Sequence, residues 1–402
     1  SANSHSQRSG DGTTLFNADQ RIAFGQLTWD PAAGKRHQLL SGLVGRYSWY
    51  DDNTPATGVP GGPYNAPDEV FIPGIFVQDE MNLGRSHLLL AGIRYDYNRN
   101  HGNIFTPRLA WKWTFSEKDN LRVNAGSGFR VVNLFTEDHA ALTGAREVVI
   151  EGKLKPERSY NANLNYTRKI IAGSSFINLE VTAWYTYFSN RILPDYLTDP
   201  DKIIYHNIDG YAQSYGTSLN VEAATTGGLR LTAGLTLQEV SATQRNKTGG
   251  FETARQLLTE RWSGTWTVSY NFGKSGWSAD YTGNIYGPML LPLVSSLDPR
   301  KPESPVWSIQ NLQVSKKMKH GIDFFMGVKN LLNFTPTRDN AFIIARSHDP
   351  FDKNVQRDAD GHVMATAGNP YALTFDPNYV YAPNQGRKLF AGIRYAIPKT
   401  GK

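Results

Sequence analysis

The chain of 402 residues contains no cysteine. This absence excludes disulfide bonds, thiolate chemistry and cysteine-ligated zinc. The chain also lacks any run of the roughly 18 to 20 consecutive apolar residues that a membrane-spanning helix needs, because charges and amides interrupt every hydrophobic stretch. A helical membrane protein is therefore excluded.

A strong excess of one charge is missing as well. The chain has 42 Lys and Arg against 36 Asp and Glu, a formal net charge of +6. This balance argues against the dense basic patches of a nucleic-acid-binding protein, so no nucleic-acid partner is predicted. The polar, Gly/Ser-rich start, Ser1 to Thr14, has no positive segment followed by an apolar one, which predicts a processed chain or a fragment without a signal peptide.

Aromatic and turn-forming residues are abundant, with Gly 37, Tyr 20, Phe 19 and Trp 9. The mean hydropathy is nevertheless only −0.45. A chain that is rich in aromatics and glycine but polar on average fits β-strands with one apolar face and one wet face.

The strongest pattern is strict alternation of apolar and polar residues, in segments of about ten residues or more, the length that a tilted strand needs to cross a bilayer. The rows Leu229 to Leu237 and Leu389 to Ile397 show it clearly. The polar positions carry Asn, Thr, Gly and isolated charges, as the wall of a wet lumen does. Alternation alone does not separate such a barrel from a soluble sandwich.

The links between the predicted strands alternate between short and long, which is typical of outer-membrane barrels with short turns on one rim and long loops on the other. The predicted strands are 20–30, 36–50, 71–83, 86–98, 103–116, 119–130, 154–169, 174–191, 206–225, 227–243, 258–272, 275–288, 304–317, 320–331 and 386–397.

The prediction is therefore an all-β fold, an antiparallel transmembrane β-barrel with about fifteen strands, short periplasmic turns and long extracellular loops. Residues 1–19 are predicted as the remnant of an extracellular loop, 20–397 as the C-terminal part of the barrel and 398–402 as a periplasmic tail. Single-chain bacterial barrels close with an even strand count, so an odd count predicts that front strands are absent.

Two stretches resemble the mid-barrel signature of TonB-dependent outer-membrane receptors: GSGFRVVNLFTED at 126–138 and LKPERS at 154–159. Supporting matches are TPRLAW at 106–111, GVKNLLN at 327–333 and GRKLFAGIRYAI at 386–397. The loop style resembles receptors of the Bacteroidetes. The resemblance implies about 22 strands around a globular plug, so that roughly seven strands, the plug and the TonB box would lie outside this sequence.

The resemblance also implies a location and a function. It implies a receptor in the Gram-negative outer membrane for active uptake of a ferric siderophore, haem or cobalamin, and not an enzyme. Expected partners are outer-membrane lipid, the plug with the remaining strands, the TonB complex through the absent N-terminal segment, and a surface lipoprotein. The alternatives are a SusC-like glycan or peptide importer working with such a lipoprotein, and a passive porin-like channel.

Six residues are candidates for ligand binding: Arg130, Asn133, Glu137, His139, Tyr205 and Phe351. The guanidinium of Arg130 suits carboxylates and phosphates, but it equally suits a carboxylate of the lumen or plug. A loop imidazole such as His139 ligates haem or metals, or is simply solvated. The loop aromatics grip a planar ligand, or pack to order a long loop.

Alternation places ten further polar residues toward the lumen, where they hold the plug or form a solvated wall. These are Arg94, Asp96, Asn161, Asn163, Asn178, Glu180, Glu222, Gln238, Lys329 and Arg394. No cofactor and no metal site is predicted, because the acidic segment near Asp358 lacks the closing ligand of a calcium loop. No catalytic site is predicted either, since His206 and Asp209 lack an accompanying nucleophile.

Overall fold

A computed structural model describes residues 1–11, 14–32, 34–53, 57, 67–131, 147–152, 154–195, 198, 202–246, 248–291, 301–318, 321–336, 356–359, 363–367 and 381–396. Nearly all regular structure in these residues is β-strand, and the one described helix is a single 3-10 turn, Gly273–Ser275. No helix in this part of the chain is long and apolar enough to cross a membrane.

The strands, numbered along the chain, have the following bounds: β1 Ala2–Asp11, β2 Thr14–Trp29, β3 His37–Asp52, β4 Asp68–Asn82, β5 His87–Asn98, β6 Gly102–Thr114, β7 Asp119–Arg130, β8 Glu147–Ile150, β9 Glu157–Ala172, β10 Ser175–Asn190, β11 Ile192–Asp195, β12 Lys202–Asn207, β13 Gly210–Thr225, β14 Leu229–Arg245, β15 Phe251–Arg255, β16 Trp262–Asn271, β17 Trp277–Tyr286, β18 Trp307–Lys317, β19 Ile322–Lys329, β20 Gln356–Arg357, β21 Val363–Met364 and β22 Lys388–Tyr395.

Seventeen of these strands form one antiparallel sheet, in which almost every strand pairs with its neighbours along the chain. Each of the fifteen strands predicted from alternation corresponds to one of them, and the two additional strands are β1 and β15. Short turns join β4 to β5 and β9 to β10, whereas long links join β3 to β4 and β19 to β22. The short and long links therefore lie on opposite rims, which confirms the predicted barrel class.

The prediction that residues 1–19 are a loop remnant is wrong. Ala2–Asp11 forms β1 and pairs along its whole length with β2, which itself begins at Thr14. The segment ANSHSQRSGD has no apolar row, so hydrophobic alternation cannot reveal it. What identifies it in the structure is its backbone pairing with β2, from Ala2 opposite Ala23 to Asp11 opposite Thr14. The predicted periplasmic tail, 398–402, lies outside the described residues.

The two faces of the sheet differ in the way that a membrane barrel requires. Large apolar side chains are the exposed ones: Leu235 is 46% exposed, Leu389 80% and Ile393 67%. Asp96, by contrast, is 0% exposed. A water-soluble protein avoids so large an exposed apolar surface. The apolar rows therefore face lipid, and the polar rows face the interior.

The sheet is open in the described part of the chain. There β1 pairs with β2 and β22 pairs with β19, and no strand pairing joins β1 to β22. An unpaired strand edge is not tolerated in hydrocarbon, because each free backbone group costs several kcal/mol there. Within the described residues the sheet therefore does not close into a barrel, and the absence of front strands from this sequence remains a prediction.

The last two strands fit together through reciprocal pairs of phenylalanine and glycine on the interior face. Phe325 of β19 lies across Gly392 of β22, and Phe390 of β22 lies across Gly327 of β19. A Cβ atom on either glycine would collide with the opposing ring. These glycines thus let both rings lie flat against the wall.

A small hydrophobic core lies above the sheet at the long-loop rim. Its buried members are Met289, Leu291, Trp307, Tyr381 and Ala382. The indole of Trp307 stacks on Tyr286, with ring centroids 4.3 Å apart. This core fixes the end of the last long link against β17 and β18.

Candidate functional site

The register of the strands places all ten predicted lumen residues on the polar face of the sheet. Asn178 lies opposite Glu222, and Asp323 lies opposite Arg394. The set comprises Arg94, Asp96, Asn161, Asn163, Asn178, Glu180, Glu222, Gln238, Lys329 and Arg394. Their proposed contacts with a plug remain a prediction.

Arg94 and Asp96 form a bidentate ion pair within β5. The guanidinium Nε and Nη2 donate to the two carboxylate oxygens at 2.7 and 2.6 Å. The Asp96 carboxylate is fully buried over Gly74 of β4, where a Cβ atom would collide with it. A buried carboxylate needs such a partner, so this pair stabilises the wall of the lumen itself.

A cationic arc, defined as Arg94, Arg108, Lys112, Arg122 and Lys169, occupies the interior face of β5, β6, β7 and β9. Lys112 lies directly opposite Arg122, and like charges in that position repel each other. Within the described residues no carboxylate lies within salt-bridge distance of either one. Lys112 and Arg122 therefore present positive charge to the lumen that no carboxylate of the described residues compensates.

A second stretch of the interior face, across β14, β16, β17 and β18, carries uncharged side chains along one row. One row of directly opposed residues runs Thr232, Thr267, Thr282 and Asn311. The Asn311 amide donates to the Thr282 hydroxyl at 3.2 Å. We call this row the neutral arc, because its hydroxyl and amide side chains carry no charge.

The two signature segments meet at the extracellular end of the lumen. Arg130 ends β7 directly opposite Glu157, the first residue of β9, and its Nε donates to Glu157 Oε2 at 2.9 Å. The Ile192 backbone N–H donates to Glu157 Oε1 at 3.1 Å. Glu157 is only 6% exposed, so it joins three segments of the mouth. This geometry favours the carboxylate-pairing interpretation of Arg130, and its contact with ligand remains a prediction.

Tyr205 does not line an open surface, in contrast to its prediction as a ligand contact. It lies in β12, between β11 and β8, in a three-stranded sheet above the barrel. Tyr205 is 3% exposed and Ile203, on the same face of β12, is 1% exposed. Packing accounts for Tyr205, because a long extracellular loop needs a core of its own to be ordered.

The candidates Asn133, Glu137, His139 and Phe351 lie outside the described residues, so their roles remain predictions. Among the residues that the structure does describe, no group of three or more His, Cys, Asp and Glu residues could hold a metal ion.

One arginine at the extracellular mouth, Arg191, is not among the predicted ligand contacts. Arg191 follows β10 directly, and its guanidinium carbon lies 5.3 Å from the centre of the Phe188 ring. Burial lowers the pKa of Arg191, and neighbouring Arg130 acts in the same direction against the opposing effect of Glu157. Its position depends on the turn after β10, which the alternation pattern does not report.

Comparison with known proteins agrees with this geometry. A family model described as "TonB dependent receptor-like, beta-barrel" matches residues 1–331. The chain belongs to the TonB-dependent receptor family. This membership confirms the predicted resemblance and barrel fold, and it places the chain in the Gram-negative outer membrane, in a family of transporters and not of enzymes.

A curated relative is the iron-regulated outer membrane virulence protein of Vibrio cholerae serotype O1, which is 25% identical over 166 residues, 41% of this chain and 25% of that protein. A ferric enterobactin receptor (PfeA) variant from Pseudomonas aeruginosa has a TM-score of 0.62 at 16% identity, covering 94% of this chain and 54% of that one. The FrpB iron transporter from Neisseria meningitidis has a TM-score of 0.64 at 12% identity, covering 95% and 56%.

At these identities the solved structures show the fold alone. The chain spans a quarter of the curated relative and about half of each solved structure. These proteins come from Vibrio, Pseudomonas and Neisseria, so the resemblance to Bacteroidetes receptors remains a prediction.

Proposed function

We propose that this TonB-dependent receptor takes up a ferric chelate, with the described sheet forming most of a barrel around a plug. The family membership carries the proposal. The printed names of its relatives support iron as the cargo, since one is iron-regulated, one is a ferric enterobactin receptor and one is an iron transporter. Haem and cobalamin are the other cargoes that the sequence predicts.

The cationic arc supports a plug within the lumen. Lys112 and Arg122 face each other across β6 and β7 without a described carboxylate partner. Plug carboxylates would relieve this repulsion, since an opposite charge nearby favours the ionised form of both groups. The TonB complex would then act on the N-terminal segment that precedes the plug.

Uptake of radioactive iron tests the proposal. Cells that lack the gene and cells complemented with the full-length gene would be grown without iron and given ⁵⁵Fe bound to a catecholate, to a hydroxamate or in haem. We expect uptake of one of these chelates only in the complemented cells, and only while the proton-motive force is intact.

The same cells separate the alternatives. Uptake that survives an uncoupler would indicate a passive channel. Equal iron uptake with and without the gene, together with gene-dependent growth on a glycan or peptide, would overturn the iron proposal in favour of an importer that works with a lipoprotein.

A further inference from the structure

Lys316 is a cation on the outer, apolar face of the sheet. It lies opposite Trp277 of β17 and Phe324 of β19, which are 46% and 45% exposed. The apolar rows of this face contact lipid, where a charged side chain is costly unless its ammonium reaches the membrane interface. Lys316 is the last residue but one of β18, beside the short turns, so its ammonium lies at that interface.

The turn between β16 and β17 holds this ammonium in place. Lys316 Nζ donates to the Ser275 carbonyl oxygen at 2.6 Å and lies 5.0 Å from the centre of the Trp277 ring. The turn itself is fastened to β18, because the Lys317 backbone N–H donates to the Gly276 carbonyl at 2.7 Å. Gly276 has a φ of 70°, and a Cβ atom there would collide with the Lys317 carbonyl. The ammonium is therefore positioned before any partner arrives.

The ammonium of Lys316 has donors to spare. It carries three N–H groups, and the Ser275 carbonyl accepts one of them. No carboxylate of the described residues lies within salt-bridge distance of Lys316 or of Lys274, the exposed lysine in the same turn. Two positive charges thus lie together at this part of the short-turn rim.

Acidic residues do not offset these charges on the outer face. The segments 271–279 and 315–318, which form this part of the rim, contain neither Asp nor Glu. Asp280 and Asp323 lie nearby in the sequence, but both belong to the interior face. There Asp280 accepts from the Ser269 hydroxyl at 2.6 Å, and Asp323 lies opposite Lys317. The outer surface of this turn is therefore positive.

Another part of the same rim has a contrasting arrangement. Arg168 of β9 also belongs to the outer face, but its Nη1 lies 3.7 Å from Asp119 Oδ1. Other cations of this rim, such as Lys35 and Arg85, lie in the turns themselves and not within an apolar row. Lys316 combines a place in an apolar row with the lack of a carboxylate partner among the described residues.

We propose that Lys316, with Lys274 and the Trp277 ring, binds the phosphate of an acidic phospholipid in the periplasmic leaflet, which the short turns reach. Phosphate oxygens accept the remaining N–H groups of the ammonium. The rings of Trp277 and Phe272, the latter 51% exposed, suit the boundary between head groups and acyl chains. A head group with net negative charge offsets the two lysines, whereas a zwitterionic one brings its own cation. The inference does not depend on the cargo of the receptor.

Native mass spectrometry of the full-length receptor tests this preference. The receptor, stripped of lipid in detergent, would be given phosphatidylglycerol or phosphatidylcholine with the same acyl chains. We expect the wild type to bind phosphatidylglycerol more tightly, and Lys316→Gln to weaken that binding about fivefold, as expected for one lysine at an anionic surface. Binding of phosphatidylcholine should not change, and Lys316→Arg should restore the preference. The matched control Lys317→Gln removes the same charge one residue away on the interior face, and it should leave both affinities unchanged.

Acetylation of lysines reports the site directly. The full-length receptor would be placed in vesicles of phosphatidylcholine, with and without added phosphatidylglycerol, and treated with an amine-reactive acetylating reagent. We expect phosphatidylglycerol to slow the acetylation of Lys316 and Lys274 but not that of Lys317, as measured by peptide mass spectrometry.

Three results would overturn the inference. One is equal affinity of the wild type for the two lipids. Another is an equal loss of both lipids in Lys316→Gln, which would show that Lys316 only holds the turn. The third is displacement of phosphatidylglycerol by sodium phosphate, which would show a site for free phosphate and not for a lipid.

Discussion

The cationic arc and the neutral arc are built on the same antiparallel sheet, yet their interior surfaces differ in kind. On β5 to β9 the interior carries Arg94, Arg108, Lys112 and Arg122, and Arg94 pairs with a buried acid. On β14 to β18 the row from Thr232 to Asn311 carries hydroxyl and amide groups. Both arcs present similar apolar rows to lipid, so they differ in the side chains that face the interior.

This comparison shows that the interior of the barrel is specialised by sector. Charged groups hold a charged partner strongly and in a fixed place. Hydroxyl and amide groups carry no charge and can form hydrogen bonds with water as well as with a ligand. For the proposed plug, the cationic arc is the surface suited to anchor it, and the neutral arc offers an uncharged surface that water can hydrate.

The largest expected effect tests whether the neutral arc is wet. Leu235→Arg places a charge on the lipid face of β14 and should destabilise the receptor by about 2 to 4 kcal/mol. Thr236→Arg, one residue away on the interior face, should cost less than about 1 kcal/mol. Unfolding by urea in lipid vesicles measures both. Equal losses would show that the neutral arc is dry and packed.

The second-largest expected effect on stability concerns the ion pair between Arg94 and Asp96. Asp96→Ala leaves Arg94, whose side chain is 40% exposed, without its partner, and should cost about 1 to 2 kcal/mol. Gly74→Ala should cost a similar amount, because its new methyl group would collide with the Asp96 carboxylate. The double variant should lose less than the sum in the same unfolding assay. Strict additivity would mean that the carboxylate does not lie over Gly74.

Introducing negative charge into each arc tests which of the two holds the proposed plug. The pair Lys112→Glu and Arg122→Glu, made together in the full-length receptor, should loosen the plug and raise ion conductance across a planar bilayer about tenfold, since a few weak ion pairs sum to 1 to 2 kcal/mol. The control pair Thr232→Glu and Thr265→Glu should leave conductance near that of the wild type. A larger effect of the control pair would reverse the assignment of the two arcs.

The smallest expected effect on stability concerns a hydrogen bond within the neutral arc. Thr282→Val removes the acceptor of the Asn311 amide and should cost about 1 kcal/mol. Thr267→Val, its neighbour in the row, should change the free energy of unfolding by less than about 0.5 kcal/mol. Urea unfolding measures both variants. A larger loss for Thr267→Val would contradict the hydrated surface inferred for this wall.

Most of the sheet could be predicted because one physical rule, apolar toward lipid and polar toward water, acts at each membrane-spanning position. The rows around Leu235 and Ile393 therefore revealed both the strands and their interior faces. Alternation does not predict β1, because its side chains are polar on both faces. Its pairing depends on backbone hydrogen bonds, which leave no pattern in the sequence.

The extracellular mouth was the least predictable region. The sheet of β8, β11 and β12 joins segments far apart in the chain, so local pattern cannot show that Tyr205 is buried within it. The LKPERS motif drew attention to the position of Glu157, but only the register of β7 and β9 shows that it pairs with Arg130. The surroundings of Arg191 depend on both the position of this sheet and the pairing of Glu157 with Arg130.

The reciprocal phenylalanine and glycine pairs of β19 and β22 also have a consequence for the width of the barrel interior. Because Phe325 and Phe390 lie flat across Gly392 and Gly327, two bulky rings add little thickness to the wall. A methyl group at either glycine would tilt a ring inward and narrow the bore beside the last strand. The width of the interior beside the last strand is thus determined by residues with no side chain.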